Sequence, residues 1–324
     1  MIKIAVTEPE YKKAIAVFEN SQKNDMLCLP APTIEDELVD FIARHNIRHV
    51  ILGVSPYREK LYGVLSKGAV IARFGVGYDG LNIPLAAKKG LFCTNTPGAL
   101  TNSVAEHAMA FILAAARFVP QMDTNLRKGI WKPIVGNSLK GKQLTIIGTG
   151  QIGQRLAEIA AKGFGMHVTG VYNSEKQVNN VLLQKGFMKL TSTVSEGVQD
   201  ADFVSLHLPL NDTTNGFVNE KFLNIMPDKA WLMNTARGGI VDEKQLFNAL
   251  AKNKIAGAAL DVFQKEPYEP YEPECDFRTL NNVILTPHIG STTREACERM
   301  AKICLKNIEH AENGNIDKMN LIRS

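Results

Sequence analysis

The 324-residue chain has little of what marks several large classes of protein. Its five cysteines are an odd number, with no CxxC pair and no metal-ligand spacing. No disulfide framework and no metal site are therefore expected. Cys297 and Cys304 fall in a helical stretch and read as core side chains, and a reduced, cytoplasmic setting is the expectation. No apolar run approaches the ~18 residues of a membrane span. The opening Met1-Ile2-Lys3-Ile4-Ala5-Val6 reads as a strand, not as a charged head followed by a long apolar signal segment. Charge is nearly balanced at +4, and the pairs Lys12-Lys13 and Lys88-Lys89 stand isolated, so neither nucleic acid nor a membrane is an expected partner. Internal repeats are absent.

What is present is an ordinary globular composition, 45% hydrophobic and 22% charged, enough for a sizeable core. The length suits two domains at roughly 100–200 residues each. Strand candidates at 3–6, 49–54, 70–74 and 91–94 alternate with helical stretches such as 34–45, the pattern of a parallel sheet with flanking helices. Asn95-Thr96-Pro97-Gly98 closes this series with a turn, and a long helix is expected over 103–128. A second series follows, with strands at 144–147, 168–172, 203–206, 230–234, 257–260 and 283–285. The helical stretch 295–310 then returns to the first domain. The acidic, proline-rich run 266–274 reads as an extended surface loop.

Gly148-Thr149-Gly150-Gln151-Ile152-Gly153 sits directly after the apolar strand 144–147 and before a helix-forming stretch. Gly148 permits a sharp turn, Gly150 lets backbone approach a pyrophosphate, and Gly153 lets the helix pack on the sheet. The helix start offers free N–H groups to phosphates. The expected fold is α/β, with two doubly wound parallel-sheet domains. A Rossmann-type dinucleotide domain, 99–291, is inserted in a flavodoxin-like substrate domain built from 1–98 and 292–324. Arg237, Asp261, Glu266 and His288 all follow apolar strands of the second series, where open α/β sheets place ligands. Taken singly, each is an ordinary structural residue; gathered beside a dinucleotide turn they point to chemistry.

These residues lie in motifs that span nearly the whole chain. They are Gly75-Val76-Gly77-Tyr78-Asp79, Asn95-Thr96-Pro97-Gly98, Val104-Ala105-Glu106, Gly148–Gly153 and His207-Leu208-Pro209-Leu210 with Thr213-Thr214. Asn234-Thr235-Ala236-Arg237-Gly238-Gly239, Leu260-Asp261-Val262-Phe263 running to Glu266-Pro267, and Thr286-Pro287-His288-Ile289-Gly290 complete the set. In them the chain resembles the D-isomer-specific 2-hydroxyacid dehydrogenases. The resemblance implies hydride transfer between NAD or NADP and a small anionic 2-keto or 2-hydroxy acid. His288 would move the hydroxyl proton, Glu266 would hydrogen-bond its ring and favour the charged form, and Arg237 would hold the carboxylate and polarise the carbonyl. Val76 and Gly77 would offer N–H groups to the carboxylate from the first domain. Gly148, Gly150, Gln151, Ile152, Gly153, Tyr172, Asn173, Ser174, Leu208, Pro209, Thr214, Thr235, Ala236, Asp261 and Gly290 would form the cofactor site, with Asp261 on the nicotinamide carboxamide. The helix from Ser103 would build a homodimer interface.

The chain departs from the family pattern after 168–171, where Tyr172-Asn173-Ser174-Glu175-Lys176 lacks the acid that holds the ribose of NAD. No arginine replaces it, so NAD and NADP both stay open. Arg73 either receives a second anion, as in the phosphoglycerate dehydrogenases of the family, or makes an ion pair. The end at Ser324 leaves no room for the regulatory domain some of those enzymes carry. Two other readings of the scaffold are a nucleotide-sensing module like a transcriptional corepressor and a phosphite dehydrogenase-like relative.

Overall fold

The computed structural model describes residues 1–172 and 180–322. The chain forms two compact units, Met1–Leu100 with Ser291–Ser324, and Thr101–Gly290.

The first unit is a parallel sheet of β1 (Ile2–Thr7), β2 (Met26–Ala31), β3 (His49–Leu52), β4 (Val70–Arg73) and β5 (Phe92–Thr94), in the order β2-β1-β3-β4-β5. That is the flavodoxin-like order. β3 and β4 are buried along their whole length, as mainly apolar strands at the centre of a parallel sheet should be. The helix Glu35–His45 buries Leu38 and Ile42, one turn apart on one face, and ends at Asn46 in the left-handed region with φ 52°. Its first turn carries Glu35, Asp36 and Glu37 and its last Arg44 and His45, which suits the helix dipole at both ends. The helix Arg294–Glu312 closes the unit, burying Ala296, Cys297, Met300, Ala301, Cys304 and Ile308. β2 was not expected, because its run Met-Leu-Cys-Leu-Pro-Ala is interrupted by Pro30. It lies at the edge of the sheet, where a missing N–H costs no ladder bond.

The second unit is a seven-stranded parallel sheet: β6 (Gln143–Ile147), β7 (His167–Val171), β8 (Phe187–Thr191), β9 (Phe203–Leu206), β10 (Trp231–Asn234), β11 (Gly257–Leu260) and β12 (Val283–Leu285). Their order, β12-β11-β10-β9-β6-β7-β8, runs outward in both directions from β6. The direction of winding therefore reverses at β6, the switch point at which doubly wound sheets bind ligands. β8 is the other unexpected strand; at this edge Met188 is 63% exposed and Lys189 is exposed as well, so its apolar pattern is broken.

The helix expected over 103–128 is two helices, Thr101–Arg117 and Val119–Arg127. Phe118 between them has φ 54°, and Pro120 stands in the first turn of the second. Proline cannot donate to the carbonyl four residues back and its ring clashes there. The carbonyl released, that of Ala116, instead accepts the N–H of Asn137 at 2.8 Å. Thr101–Arg117 packs against the second sheet through Ala105, Ala108, Met109, Ile112, Ala115 and Ala116.

Candidate active site

The glycine turn occupies the end of β6. Gly148 has φ +102°, a conformation L side chains rarely adopt, and a Cβ there would lie 2.5 Å from the His207 carbonyl oxygen. At Gly153 a Cβ would sit 2.2 Å from the Gly148 oxygen, so the helix meets the turn backbone to backbone. Gly150 is different: nothing lies within 4 Å of its Cβ position. It caps the helix Gln151–Glu158 without a side-chain bond, leaving that N-terminus uncapped. Two glycines thus serve packing, and the third leaves open space in front of free N–H groups.

Further groups suited to a dinucleotide surround this turn in the same unit. Thr235, at the end of β10, is buried, and its Oγ1 has no hydrogen-bond partner among the described residues. Such a group is costly unless a ligand or water completes it. Thr214 closes the loop after β9 by donating to the Pro209 carbonyl at 2.6 Å, and Leu208 packs onto the core. Ile152 packs at the helix start, Gln151 is exposed, and Tyr172 leaves the end of β7 with its N–H on Thr191 at 3.0 Å. These residues fit a bound NAD(P). Asn173 and Ser174 lie outside the described residues. At the end of β9, His207 Nε2 lies 2.8 Å from Ser205 Oγ, and burial pushes the imidazole down to about 4.

The structure brings His288 and Glu266 together. His288 Nδ1 is 2.7 Å from Glu266 Oε2, and both side chains are about a quarter exposed, 26% and 27%. Glu266 is anchored in turn, its Oε1 accepting the N–H of Phe263 at 3.1 Å. Arg237 lies in the next strand-end turn, where Asn234 Nδ2 donates to the Arg237 carbonyl at 2.8 Å and Asn234 Oδ1 accepts from the Ala236 N–H at 3.0 Å. The Arg237 guanidinium donates to the Ala236 carbonyl at 2.6 Å. The Arg237 turn and the Glu266 loop press directly on each other, since a Cβ on Gly238 would fall 1.9 Å from the Phe263 carbonyl carbon.

Asp261 holds the histidine turn rather than facing solvent. It is 1% exposed; Oδ1 accepts from Thr286 Oγ1 at 2.5 Å and Ile289 N–H at 2.8 Å, and Oδ2 accepts from Gly290 N–H at 2.8 Å. Burial alone would raise its carboxyl, but hydrogen bonds from His107, Thr286, Ile289 and Gly290 outweigh that and hold it below the usual range. The Asp261 carbonyl takes the His288 N–H at 2.8 Å, and His288 itself has φ 52°. One residue thus fixes a turn in the left-handed region, which residues other than glycine enter uncommonly.

Sequence reasoning did not single out three residues that support this arrangement. They are His107 in the helix Thr101–Arg117, Thr286 after β12 and Glu243 at the start of the helix Glu243–Ala251. Glu243 is 6% exposed and accepts the Gln264 N–H at 2.6 Å, steadying the loop that carries Glu266. Burial pushes its carboxyl up against that bond, and the Asp242 and Glu266 charges add to the rise.

In the first unit, the Val76 and Gly77 N–H groups donate to no oxygen of the described residues, while their carbonyls are held by Asn95 Nδ2 and Arg73 Nε, both at 2.9 Å. Arg73, read from the sequence as either a second anion site or an ion-pair partner, lies against backbone carbonyls. It is 6% exposed, and its guanidinium also donates to the carbonyls of Leu52 at 3.3 Å and Phe74 at 2.6 Å. Through Nε and Nη1 it braces the chain on either side of Gly75.

A doubly wound sheet with an open glycine turn and an uncapped helix start at its switch point defines a dinucleotide-binding protein. Residues 109–290 match the family model described as D-isomer specific 2-hydroxyacid dehydrogenase, NAD binding domain. A glyoxylate reductase from Thermococcus litoralis is 42% identical over 76% of this chain and 75% of that enzyme. A D-3-phosphoglycerate dehydrogenase from Methanocaldococcus jannaschii is 35% identical over 98% of this chain, which spans 58% of that enzyme. The crystal structure of a glyoxylate reductase from Paecilomyes thermophila superposes with a TM-score of 0.82 at 28% identity, covering 99% of this chain and 97% of that one. The chain belongs to the D-isomer-specific 2-hydroxyacid dehydrogenase family, whose members are NAD(P)-dependent oxidoreductases.

Proposed function

We propose that this enzyme interconverts a small, unphosphorylated D-2-hydroxy acid and its 2-keto acid, with glyoxylate and hydroxypyruvate as the substrate type. The observation that carries the reading is the 2.7 Å contact between His288 Nδ1 and Glu266 Oε2. With Nδ1 engaged, Nε2 is the nitrogen left to exchange a proton with substrate. The bound dinucleotide supplies or accepts the hydride. His288 Nε2 gives the proton to the carbonyl oxygen in reduction and removes it in oxidation, and Glu266 balances the charge on the ring. Arg237 holds the carboxylate with its planar fork. Thr235 Oγ1 and Asp261 Oδ2 are the acceptors assigned to the nicotinamide carboxamide. The unit Thr101–Gly290 is the dinucleotide domain in this reading, and Met1–Leu100 with Ser291–Ser324 the substrate domain.

Two features favour an unphosphorylated acid. Arg73, which could have met a phosphate, is committed to three backbone carbonyls. The Thermococcus litoralis relative is a glyoxylate reductase. The test is loss of reduced-nicotinamide absorbance on adding glyoxylate, hydroxypyruvate, pyruvate, phenylpyruvate or phosphohydroxypyruvate, with NADH and then NADPH. Preference for the phosphorylated acid would defeat the proposal.

We further propose a homodimer in the cytoplasm. The helix Val119–Arg127 buries none of its residues, and Trp131 and Val135 beyond it are 85% and 94% exposed. An apolar surface of this kind is what a second copy would cover. The five free thiols, all buried, suit a reducing compartment.

A further inference from the structure

We propose that His107 is a positioning residue for His288: it clamps the histidine-bearing turn to the helix Thr101–Arg117. The inference rests on the reading of His288 as the proton-transfer group.

His107 Nε2 lies 3.2 Å from Thr286 Oγ1 and 3.4 Å from Asp261 Oδ1. Thr286 spends its single hydroxyl proton on Asp261 Oδ1, so toward His107 it can only accept. Nε2 is therefore the protonated nitrogen of His107, and the chain of donors runs from His107 to Thr286 to Asp261. Asp261 passes that restraint to Ile289 and Gly290 through its carboxylate and to His288 through its carbonyl. The ring itself is held, 16% exposed, with its centroid 4.5 Å from that of Phe111 one helical turn away. Gly290 lies beside it, since a Cβ there would be in ordinary contact with His107 Cδ2 at 3.5 Å and closer to Asp261 Oδ2 at 3.0 Å.

The arrangement has a mechanical consequence within the second unit. Thr101–Arg117 begins where the chain enters this unit, and Gly290 is where the chain leaves it. His107 ties the segments at these two points together by hydrogen bonds to Thr286 and to Asp261, which takes the N–H of the left-handed His288. Without them, Asp261 keeps two backbone N–H donors and Thr286, but the turn loses its tie to the helix. Small displacements of a reacting group carry large rate penalties, on the order of 100-fold per ångström.

The test uses the full chain with glyoxylate as hydride acceptor. His107→Phe keeps an aromatic ring beside Phe111 and removes the donor; His107→Gln returns an N–H near the position of Nε2. Thr286→Val and Thr286→Ser repeat the comparison from the strand side. His107→Phe and Thr286→Val are expected to lose about 10- to 100-fold in kcat, with KM for glyoxylate and Kd for NADH each changed less than about threefold. The Gln and Ser variants are expected to recover to within about threefold of wild-type kcat. Wild-type kcat in both donor-deleted variants would overturn the proposal. So would parallel losses of kcat, NADH binding and thermal stability that Gln and Ser fail to rescue, because that is the signature of a purely structural contact. His288→Asn is measured alongside. If it remains active, the parent reading falls and this inference with it; if it is inactive while His107→Phe is normal, only the role of His107 is lost.

Discussion

Replacing Gly238 by alanine tests whether Arg237 and Glu266 are held in place by direct contact between their turns. A Cβ at residue 238 would stand 1.9 Å from the Phe263 carbonyl carbon, 2.2 Å from its oxygen and 2.3 Å from the Gln264 nitrogen. Carbon atoms in contact need about 3.5 Å, so one turn must retreat by more than about 1 Å. No flexible side-chain end is available to give way, because every atom met is backbone. Arg237 is the preceding residue, and Glu266 is tied to the Phe263 N–H, so a retreat by either turn alters the spacing of the two groups. Overpacking of this kind costs about 1–3 kcal/mol of stability, a shift of a few degrees in Tm. A displacement of about 1 Å among reacting groups costs on the order of 100-fold in rate. Gly238→Ala is therefore expected to fold, bind NADH and lose about 100-fold in kcat/KM for glyoxylate. Gly63→Ala is the control, since nothing lies within 4 Å of its Cβ position in the helix Glu59–Val64. Steady-state kinetics and thermal melts on both variants decide the matter. Wild-type kcat/KM for Gly238→Ala would refute the argument that the two turns set each other's position.

His288→Asn is expected to lower kcat by roughly 100- to 10,000-fold while NADH still binds by fluorescence titration, and near-normal turnover would remove His288 from the mechanism. Arg237→Lys keeps the charge and loses the planar fork, so KM for glyoxylate should rise about 10-fold or more in the same assay. His49 is fully buried; its Nδ1 accepts the Val70 N–H at 2.9 Å, and burial holds its pKa well below the ordinary value. The stability this group contributes is complete above the unfolded value of about 6.5 and is lost as pH falls toward the depressed folded value, by up to about 1.4 kcal/mol per pH unit. Urea midpoints at pH values on either side of that window should fall less steeply for His49→Gln than for wild type, and equal slopes would contradict the burial argument. Trp131→Glu with Val135→Asp should convert the proposed dimer to monomer in sedimentation velocity, and an unchanged sedimentation coefficient would move the interface elsewhere.

Both sheets were legible where strands are central and apolar. β3, β4, β9, β10 and β11 are short, mainly apolar runs, buried along their lengths, and the pattern that announced them is the one their environment demands. The two missed strands are both edges, β2 with its proline and β8 with exposed Met188. Edge strands bury one face and tolerate breakers, so their residues carry a weaker signal. The helix break at Phe118 was written in the sequence as Pro120, but the apolar spacing on either side of it masked the interruption.

At the site, the legible residues were those whose chemistry is conspicuous by type: Arg237, Glu266 and His288 at strand ends. Residues that hold them were hidden, because holding is a matter of contact between segments far apart in the chain. Gly238 reads as a flexible turn residue until Phe263 is seen against it, and His107 reads as a helix side chain until Thr286 is found at its Nε2. Arg73 shows the same dependence on contacts between segments. A lone cation before a glycine turn suggests an anion site, yet three carbonyls converge on its Nε and Nη1. Residue type announces what a group can do; whether it is free to do so depends on which backbone atoms the fold delivers to it. A strand-end arginine or acid in this fold therefore acts through whatever its local carbonyl and N–H partners leave available, as Asp261 does with Thr286, Ile289 and Gly290 on its carboxylate.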